Sequence, residues 1–385
     1  MEARWAALAV LTAARASMGF EFQSLASVAP PLMAELGLGY AELGFLIGLF
    51  FLPGIALALP GGWLGQRFGD KRVVLAGLAL MAGGGALAGA AEGHAALLAG
   101  RLLSGIGAVL LNVVMAKMVT DWFAGREIVL AMAVFVNSFP IGVGLALALL
   151  GALAEAAGWR LALQAAAGAA LASLLLVALL YRPHANDGRA AAGAAASFTR
   201  RELALVCIAG AIWGIYNGVF AIMTGFVPGL LVARGMSGAA AGFLLGLATW
   251  LIVASVQAGG MIAQRWGFAH SLMLLGIGAC ALCLLALPWA PPIPVLVASG
   301  LLQGLPIGVI MALPASALRP ASRSIGMGVF YTWLYAGHAG LPPLAGWLQD
   351  LWQGEPAAPV LFAGAATLTI LPLYAGFLRC RATVA

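Results

Sequence analysis

The sequence predicts an all-α membrane protein in which twelve transmembrane helices form two pseudo-symmetric bundles of six. Composition is the first observation behind this fold class. The 385 residues are 63% hydrophobic and only 8% charged, with a mean hydropathy of +1.04, whereas soluble domains carry about 25% charged residues. Length is the second, because a membrane helix needs about 20 apolar residues, and a chain of 385 residues holds twelve such helices with short connections.

An internal repeat is the third observation. The segment GGWLGQRFG at 61–69 returns as GGMIAQRWG at 259–267, an offset of 198 residues. At this offset the ungapped stretch 30–69 shares 15 of its 40 residues with the second copy. A repeat of this length in an apolar chain is typical of secondary transporters built from two bundles related by an axis along the membrane normal.

One long polar connection separates the two copies. It has the sequence RPHANDGRAAAGAAASFTRRE, in which a low-complexity run of Ala and Gly lies between two charged ends. This composition is typical of a linker. We therefore predict an N-terminal six-helix bundle over 1–181, a cytoplasmic linker over 182–202 and a C-terminal six-helix bundle over 203–385.

The distribution of basic residues predicts the orientation. With the N-terminus in the cytoplasm, the cytoplasmic segments contain 15 Lys and Arg residues and the outside segments contain two, Arg160 and Arg234. This is the positive-inside bias, so we expect a multi-pass protein of a bacterial-type inner membrane with both termini cytoplasmic. The N-terminal segment also fits a cleaved signal peptide, a less favoured reading because cleavage would remove the first helix of the first copy.

Prolines and cysteines add little chemistry. Several prolines fall inside predicted helices, where neighbouring groups satisfy the freed carbonyls and bends are common; they include Pro53, Pro60, Pro140, Pro306 and Pro314. Cys280 and Cys283 are three residues apart but have no His or carboxylate neighbours. We expect them to pack helices rather than to bind a metal.

The repeated segment resembles the loop between helices two and three of the major facilitator superfamily. In GGWLGQRFGDKR the match covers Gly62, Arg67, Gly69, Lys71 and Arg72, while Gln66 stands where the family usually has aspartate. The resemblance implies a gating-loop motif in each copy, the second consisting of Gly260, Gln264, Arg265 and Gly267. The segment DWFAGRE at 121–127 similarly resembles the family's loop between helices four and five.

Four ionisable residues lie deep inside predicted spans: Arg15, Glu21, Arg101 and His338. A charge at mid-bilayer costs roughly 2.5 to 3.5 kcal/mol on insertion scales, so such residues usually face a cavity or a partner. Glu21 and Arg101 lie at similar depths on helices one and four, so we expect that they can pair. The pair is either a static bridge between the helices or a proton or substrate switch.

The repeat favours the second reading. The residues opposite Arg15, Glu21 and Arg101 in the second copy are Trp213, Val219 and Gly300, so these charges occur in one copy only. Scaffold residues should be shared by both copies. The segment from Arg101 also resembles the fourth-helix arginine motif of the family's proton-coupled members. In contrast, Pro140 follows Phe139 rather than glycine, which departs from the fifth-helix motif of the drug antiporters.

In the family, helices one, four, seven and ten line a central cavity. By position, the resemblance implies a substrate-binding set of Arg15, Gln23, Arg101, Asn112, Trp213, Tyr216, Asn217 and Gln303. Glu21, with Arg101, would couple protons. His338 on helix eleven is either a further polar contact or proton site, or a hydrogen-bonding partner of a neighbouring helix.

Two arginines against one glutamate predict a small-anion substrate, such as a monocarboxylate or a nitrate-, nitrite- or cyanate-like ion. We expect a monomeric, proton-coupled secondary transporter that works by alternating access and needs no cofactor, metal or nucleic acid. Export of a drug or metabolite by proton antiport is the alternative within this class. A membrane-embedded sensor or enzyme is the alternative from another class. It is disfavoured because the sequence has no nucleophile with a base, no metal cluster, no signalling domain and no nucleotide-binding loop.

Overall fold

The structure is a computed structural model that describes residues 3–123, 127–184, 199–319 and 322–382. Most of the predicted linker and residues 124–126 of the DWFAGRE segment lie outside these ranges. The regular elements within them are all helices, which confirms the predicted fold class. In chain order they are α1 (Ala3–Ser27), α2 (Ala29–Leu36), α3 (Tyr40–Leu49), α4 (Gly54–Phe68), α5 (Asp70–Gly89), α6 (His94–Phe123), α7 (Ile128–Ala157), α8 (Trp159–Leu180), α9 (Arg200–Ala233), α10 (Gly238–Trp266), α11 (Ala269–Ala286), α12 (Pro292–Gln303), α13 (Ile307–Ala317), α14 (Arg323–Leu351) and α15 (Ala357–Ala382).

Ten stretches of the described residues are long and apolar enough to cross a membrane. One of them combines α3 with part of α4, and another combines α12 with α13. The long helices α1 and α14, of 25 and 29 residues, account for the other two predicted spans. Both helices carry ionisable residues, Arg15 and Glu21 on α1 and His338 and Asp350 on α14.

Some prolines interrupt the predicted spans and others do not. The first span is divided after Ser27, and α2 resumes with Pro30 in its first turn, where the missing N–H group costs little. Two further divisions are followed by helices that begin directly after Pro53 and Pro306. By contrast, Pro140 lies inside the continuous helix α7. The carbonyl that Pro140 leaves without a helical donor therefore needs another partner.

The first compact unit contains the described residues of Met1–Leu38 and Leu49–Ala191. Its helices approach closely where glycines face backbone. A Cβ on Gly107 of α6 would collide with the carbonyl of Gly77 on α5, and one on Gly100 would lie 2.6 Å from the carbonyl oxygen of Gly84. Small residues thus let the backbones of α5 and α6 touch, which is how helices associate in membranes without a hydrophobic driving force between them.

The second compact unit contains Gly39–Gly48 and the described residues of Ala192–Ala385. Asp350 at the end of α14 accepts hydrogen bonds from the first N–H groups of α3, those of Tyr40 (3.0 Å) and Ala41 (2.7 Å). A carboxylate at this position satisfies donors that a helix leaves open at its N-terminus. The adjoining backbones are again close, since a Cβ on Gly346 would collide with the carbonyl of Tyr40.

The repeat is visible in the packing of the first and fifth helices of each copy. In the first copy, Gly142 of α7 packs against the carbonyl of Ala16 on α1. In the second, Gly337 of α14 packs against the carbonyl of Gly214 on α9, and position 214 is 198 residues after position 16. The two copies therefore share a backbone contact as well as a sequence pattern.

Candidate functional site

The first unit holds a small cavity whose polar lining comes from α1 and α6. Glu21 is 1% exposed, and its Oε1 accepts a hydrogen bond from the hydroxyl of Ser104 (2.6 Å). Its Oε2 is buried and has no hydrogen-bond partner among the residues that the structure describes. Gly85 of α5 leaves space for the carboxylate, because a Cβ there would lie 2.9 Å from Oε1. The acid therefore occupies a site where uptake of a proton would remove a costly buried charge.

Arg101 lines the same cavity from α6. Its guanidinium carbon lies 4.6 Å from the centre of the Phe50 ring. Its Nη1 donates to the carbonyl oxygen of Glu21 (3.0 Å) and its Nη2 to that of Phe22 (2.6 Å). The structure thus brings the acid of helix one and the arginine of helix four together, with Arg101 joined to the α1 backbone.

Arg15 lies further toward the start of α1 and joins three helices. Its Nε donates to the side-chain oxygen of Asn112 on α6 (3.0 Å), so two residues of the predicted site are in direct contact. Its Nη1 donates to the carbonyl oxygens of Phe135 (3.0 Å) and Val136 (2.5 Å) on α7. Val136 precedes Pro140 by four residues and is therefore the carbonyl that this proline leaves without a helical donor. Gln23, also predicted, is buried on α1.

The predicted residues of the second unit form an aromatic and amide cluster. Trp213 of α9 stacks between Tyr216 (ring centres 5.9 Å apart) and Phe330 of α14 (6.1 Å). The Tyr216 hydroxyl donates to the backbone carbonyl of Gln303 on α12. Asn217 instead donates to the carbonyl oxygen of Trp213 in its own helix (2.8 Å). Three of the four predicted residues are therefore in one cluster, while Asn217 bonds locally.

Two orphaned polar atoms mark this part of the second unit. Within the described ranges, the indole Nε1 of Trp213 and the Oε1 of Gln303 are both buried without a hydrogen-bond partner. Gln303 lines a second small cavity, together with Thr224 and Thr249. One unmatched donor and one unmatched acceptor are what a polar solute group would satisfy.

His338 is a buried residue of α14. It is 3% exposed, and its Nδ1 lies 3.3 Å from the carbonyl oxygen of Leu334, one turn earlier in α14. This contact lies within one helix. A polar or proton-binding role for His338, or a hydrogen bond to a neighbouring helix, stays a prediction.

The gating-loop motif lies at equivalent helix ends in the two copies. Gly69, with φ of 89°, forms the turn between α4 and α5, and Gly267, with φ of 70°, ends α10. Positive φ explains why both copies have glycine there. Arg67 is exposed and lies over the Trp63 ring (5.2 Å). Gln66, Arg72, Gln264 and Arg265 are exposed as well, and Gly62 and Gly260 lie within helices.

Lys71 has a capping role that the motif alone does not reveal. Its ammonium group donates to the carbonyl oxygens of Ala178 (2.9 Å) and Tyr181 (2.7 Å) at the C-terminal end of α8. The cation thereby satisfies carbonyls that the end of a helix leaves open.

The sequence prediction omits Ser104 and the buried acid Asp70. Asp70 is 1% exposed and pairs with Lys117 of α6 (2.6 Å), which also contacts Asp121 (2.9 Å). Ser104 carries no charge that would mark it. Two sequence features could have indicated these residues. Ser104 is three residues after Arg101, on the same face of the helix. Asp70 directly follows the turn glycine Gly69, at the start of a helix.

Both a protein-family model and solved structures are similar to this chain. A family model described as Major Facilitator Superfamily matches residues 11–342. Among solved structures, a bacterial homologue of the human lysosomal transporter Spinster, inward-facing and occupied, has a TM-score of 0.77 and 16% identity, with 98% of each chain covered. This likeness concerns the fold.

Curated relatives match over shorter stretches. An uncharacterized MFS-type transporter, Rv1250, of Mycobacterium tuberculosis is 28% identical over 163 residues, or 41% of this chain and 28% of the relative. The multidrug transporter mfsC of Aspergillus fumigatus is 28% identical over 37% of this chain and 27% of its own length. The probable sulfoacetate transporter SauU of Cupriavidus necator is 27% identical over 40% and 36%. The matched region thus spans about a third or less of each relative. The family model, in contrast, covers most of this helical, internally repeated chain, which belongs to the major facilitator superfamily of membrane transporters.

Proposed function

We propose that this transporter moves a small anion across the inner membrane by alternating access and couples the movement to protons through Glu21 and Arg101. The observation that carries the proposal is the buried Glu21 carboxylate beside Arg101 in one cavity of the first unit. A carboxylate with one unmatched oxygen gains by taking up a proton, whereas a carboxylate in a purely static bridge would have both oxygens satisfied.

The asymmetry between the copies supports a functional role. Backbone contacts such as Gly142 with Ala16 have a counterpart in the second copy. Glu21 and Arg101 have none, because Val219 and Gly300 occupy the equivalent positions. Residues that only hold helices together have no reason to differ between the copies in this way.

The preference for an anion rests on charge. Arg15 and Arg101 supply two positive charges against the single carboxylate of Glu21. Both guanidinium groups already donate to protein oxygens. They would therefore attract an anion more by their positive charge than by new hydrogen bonds. The relative named as a probable sulfoacetate transporter supports an anionic substrate. We further propose that Trp213 and Gln303 of the second unit contact the solute.

The remaining proposals concern topology. We propose that the copies form bundles over 1–181 and 203–385 joined by a cytoplasmic linker over 182–202, that both termini are cytoplasmic and that the protein works as a monomer. The motif residues Arg67 and Arg265 then lie on the cytoplasmic side, where they can serve gating.

A substitution of the acid tests the coupling. We expect Glu21→Gln to abolish proton-driven accumulation in vesicles while exchange of solute for solute continues, because the amide keeps the shape but takes up no proton. Glu155→Gln makes the same change at an exposed position of the first unit and should leave both activities unchanged. Accumulation by Glu21→Gln that depends on pH as in the wild type contradicts the proposed coupling.

Ligand-dependent stability tests the substrate class. A solute present at about 100 times its Kd should stabilise the purified protein by about 2.7 kcal/mol. We expect carboxylates or nitrate-like ions to raise the unfolding temperature. A panel in which no anion has an effect, while cationic or neutral drugs do, contradicts the anion proposal.

That second outcome would favour the alternative, export of a drug or metabolite by proton antiport. The stack of Trp213 with Tyr216 and Phe330 supports it, because flat apolar solutes bind well between aromatic rings. The multidrug transporter among the relatives points in the same direction. The proton role of Glu21 is common to both candidates.

A further inference from the structure

Ser104 faces two acceptors but has one hydroxyl proton. Its Oγ lies 2.6 Å from Oε1 of Glu21 and 3.3 Å from the carbonyl oxygen of Met81 on α5. Ser104 is 1% exposed and lines the small cavity beside Glu21. A hydroxyl can donate one hydrogen bond and accept two. Ser104 can therefore either donate to the carboxylate or accept from it while donating to Met81.

The ionised and the protonated forms of Glu21 require opposite behaviour from their partner. The carboxylate only accepts, and the short contact from Ser104 suits this form. A neutral carboxyl group must donate, and leaving a buried donor without an acceptor destabilises that state. Because Oε2 has no partner within the described ranges, a proton on Oε2 would have no acceptor there. A proton on Oε1 would face the oxygen of Ser104.

We propose that Ser104 reverses its hydrogen bond when Glu21 takes up a proton. A proton delivered by a hydronium ion forms an O–H bond with Oε1, neutralises the carboxylate and leaves a water molecule behind. The new O–H group donates to Oγ of Ser104. The serine keeps its own proton and turns it toward the carbonyl oxygen of Met81. Ser104 is thus a positioning residue that gives each protonation state of Glu21 one hydrogen bond.

Small residues of α5 pack against Glu21 and Ser104. Gly84 and Gly85 of α5 face this pair, and a Cβ on Gly84 would lie 2.6 Å from Oγ of Ser104. The charged side chains that line the cavity are Glu21 and Arg101. As far as the structure describes them, α5 and α8 contribute only Gly85, Ala88 and Leu163 to its lining. Arg101 lines the cavity beside the pair and donates to the backbone carbonyl oxygen of Glu21.

The inference rests on the proposed protonation of Glu21. Infrared difference spectroscopy tests it by comparing the purified transporter in vesicles at high and at low pH. The protonated acid should give a carboxylic C=O band that Glu21→Gln removes. In Ser104→Ala this band should move to higher wavenumber, because the acid loses its acceptor. Ser104→Thr keeps a hydroxyl and should keep the band in place. Ser24→Ala is the matched control, since Ser24 lines the same cavity but bonds to the backbone oxygen of Glu21.

Transport provides the second readout. Proton-driven accumulation should fall about tenfold in Ser104→Ala, the factor that corresponds to one lost hydrogen bond to a charged group, and should recover in Ser104→Thr. If Ser104→Ala does not fold, Ser104→Cys, a weaker donor and acceptor, should move the band in the same direction.

The possible failures are distinct. A band that is sensitive to Glu21→Gln but stays at the wild-type wavenumber in Ser104→Ala, or in Ser104→Cys, overturns the role of Ser104 and leaves the proposed coupling intact. Lack of any band sensitive to Glu21→Gln overturns the proposed coupling itself.

Discussion

At the scale of single residues, Arg15 illustrates how a charge inside a predicted membrane span can have a structural role. In the sequence it is an isolated arginine in an apolar helix. In the structure its Nη1 donates to the carbonyl oxygen of Val136, four residues before Pro140, where the helix of α7 supplies no donor. Arginine and proline, 125 positions apart in the chain, thus complement each other, and this role exists beside any contact with the solute.

The compensation predicts a coupling between the two positions. Arg15→Met should lower the free energy of unfolding by about 1 to 2 kcal/mol, because the carbonyl oxygen of Val136 loses its donor. In a Pro140→Ala background the helix supplies that donor, so the same substitution should cost about 1 kcal/mol less. A double-mutant cycle of unfolding free energies in detergent measures the difference.

Pro228→Ala is the control for this cycle. Pro228 is also inside a long helix, α9, but in the other unit. Its substitution should add to that of Arg15 without coupling. Equal costs of Arg15→Met in the wild-type and Pro140→Ala backgrounds would show that Arg15 does not compensate for the proline.

At the scale of elements, glycine decides how closely α5 and α6 pack. The chain contains 52 glycines, and they are not equivalent. Gly107 faces the carbonyl of Gly77, whereas a Cβ on Gly83, also in α5, would meet nothing within 4 Å. The sequence identifies helices suited to close packing, and only the contact reveals which glycine is required.

The two kinds of glycine predict opposite results for one substitution. Gly107→Ala should destabilise the protein by about 1 to 3 kcal/mol, because the added methyl group forces the helices apart. Gly83→Ala should be neutral, or stabilising by up to about 1 kcal/mol, since alanine favours the helix. Thermal unfolding of both variants in one detergent checks the pair. Equal destabilisation by both substitutions would contradict close α5–α6 packing.

At the scale of the whole molecule, the placement of basic residues gives a topology that can be measured. The bias of 15 against two Lys and Arg residues predicts that the C-terminus is cytoplasmic. Cys380 lies near that end and is exposed, whereas Cys280 is buried. In a variant that keeps Cys380 alone, we expect a membrane-impermeant maleimide to label inverted vesicles and not right-side-out ones.

A cysteine on the predicted outer side completes this experiment. Glu92 is exposed between α5 and α6, so Glu92→Cys in a cysteine-free background should show the reverse pattern. Labelling of both positions from the same side would contradict the predicted topology.

Fold and site differ in how much the sequence predicted. The helical membrane fold and the internal repeat follow from composition and from GGxxxQR, and they agree with the structure. The proximity of Glu21 and Arg101 followed from matching depths on two helices. Ser104 did not, because a neutral residue has no cost of burial large enough to mark it. The Asp70–Lys117 pair was missed because both residues lie near helix ends, where charges ordinarily reach water.

The sequence by itself determined that this protein lies in a lipid bilayer, that it is helical, that it contains two copies of one unit and to which family it belongs. These properties depend on transfer of apolar residues into lipid and on backbone hydrogen bonds within single helices, and both act locally along the chain. Only the tertiary structure decided that Ser104 contacts Glu21, that Arg15 serves the carbonyl before Pro140 and that Asp70 is buried against Lys117. Such contacts join helices many residues apart, so they depend on how each helix is rotated and how deep it lies, which packing of whole helices sets.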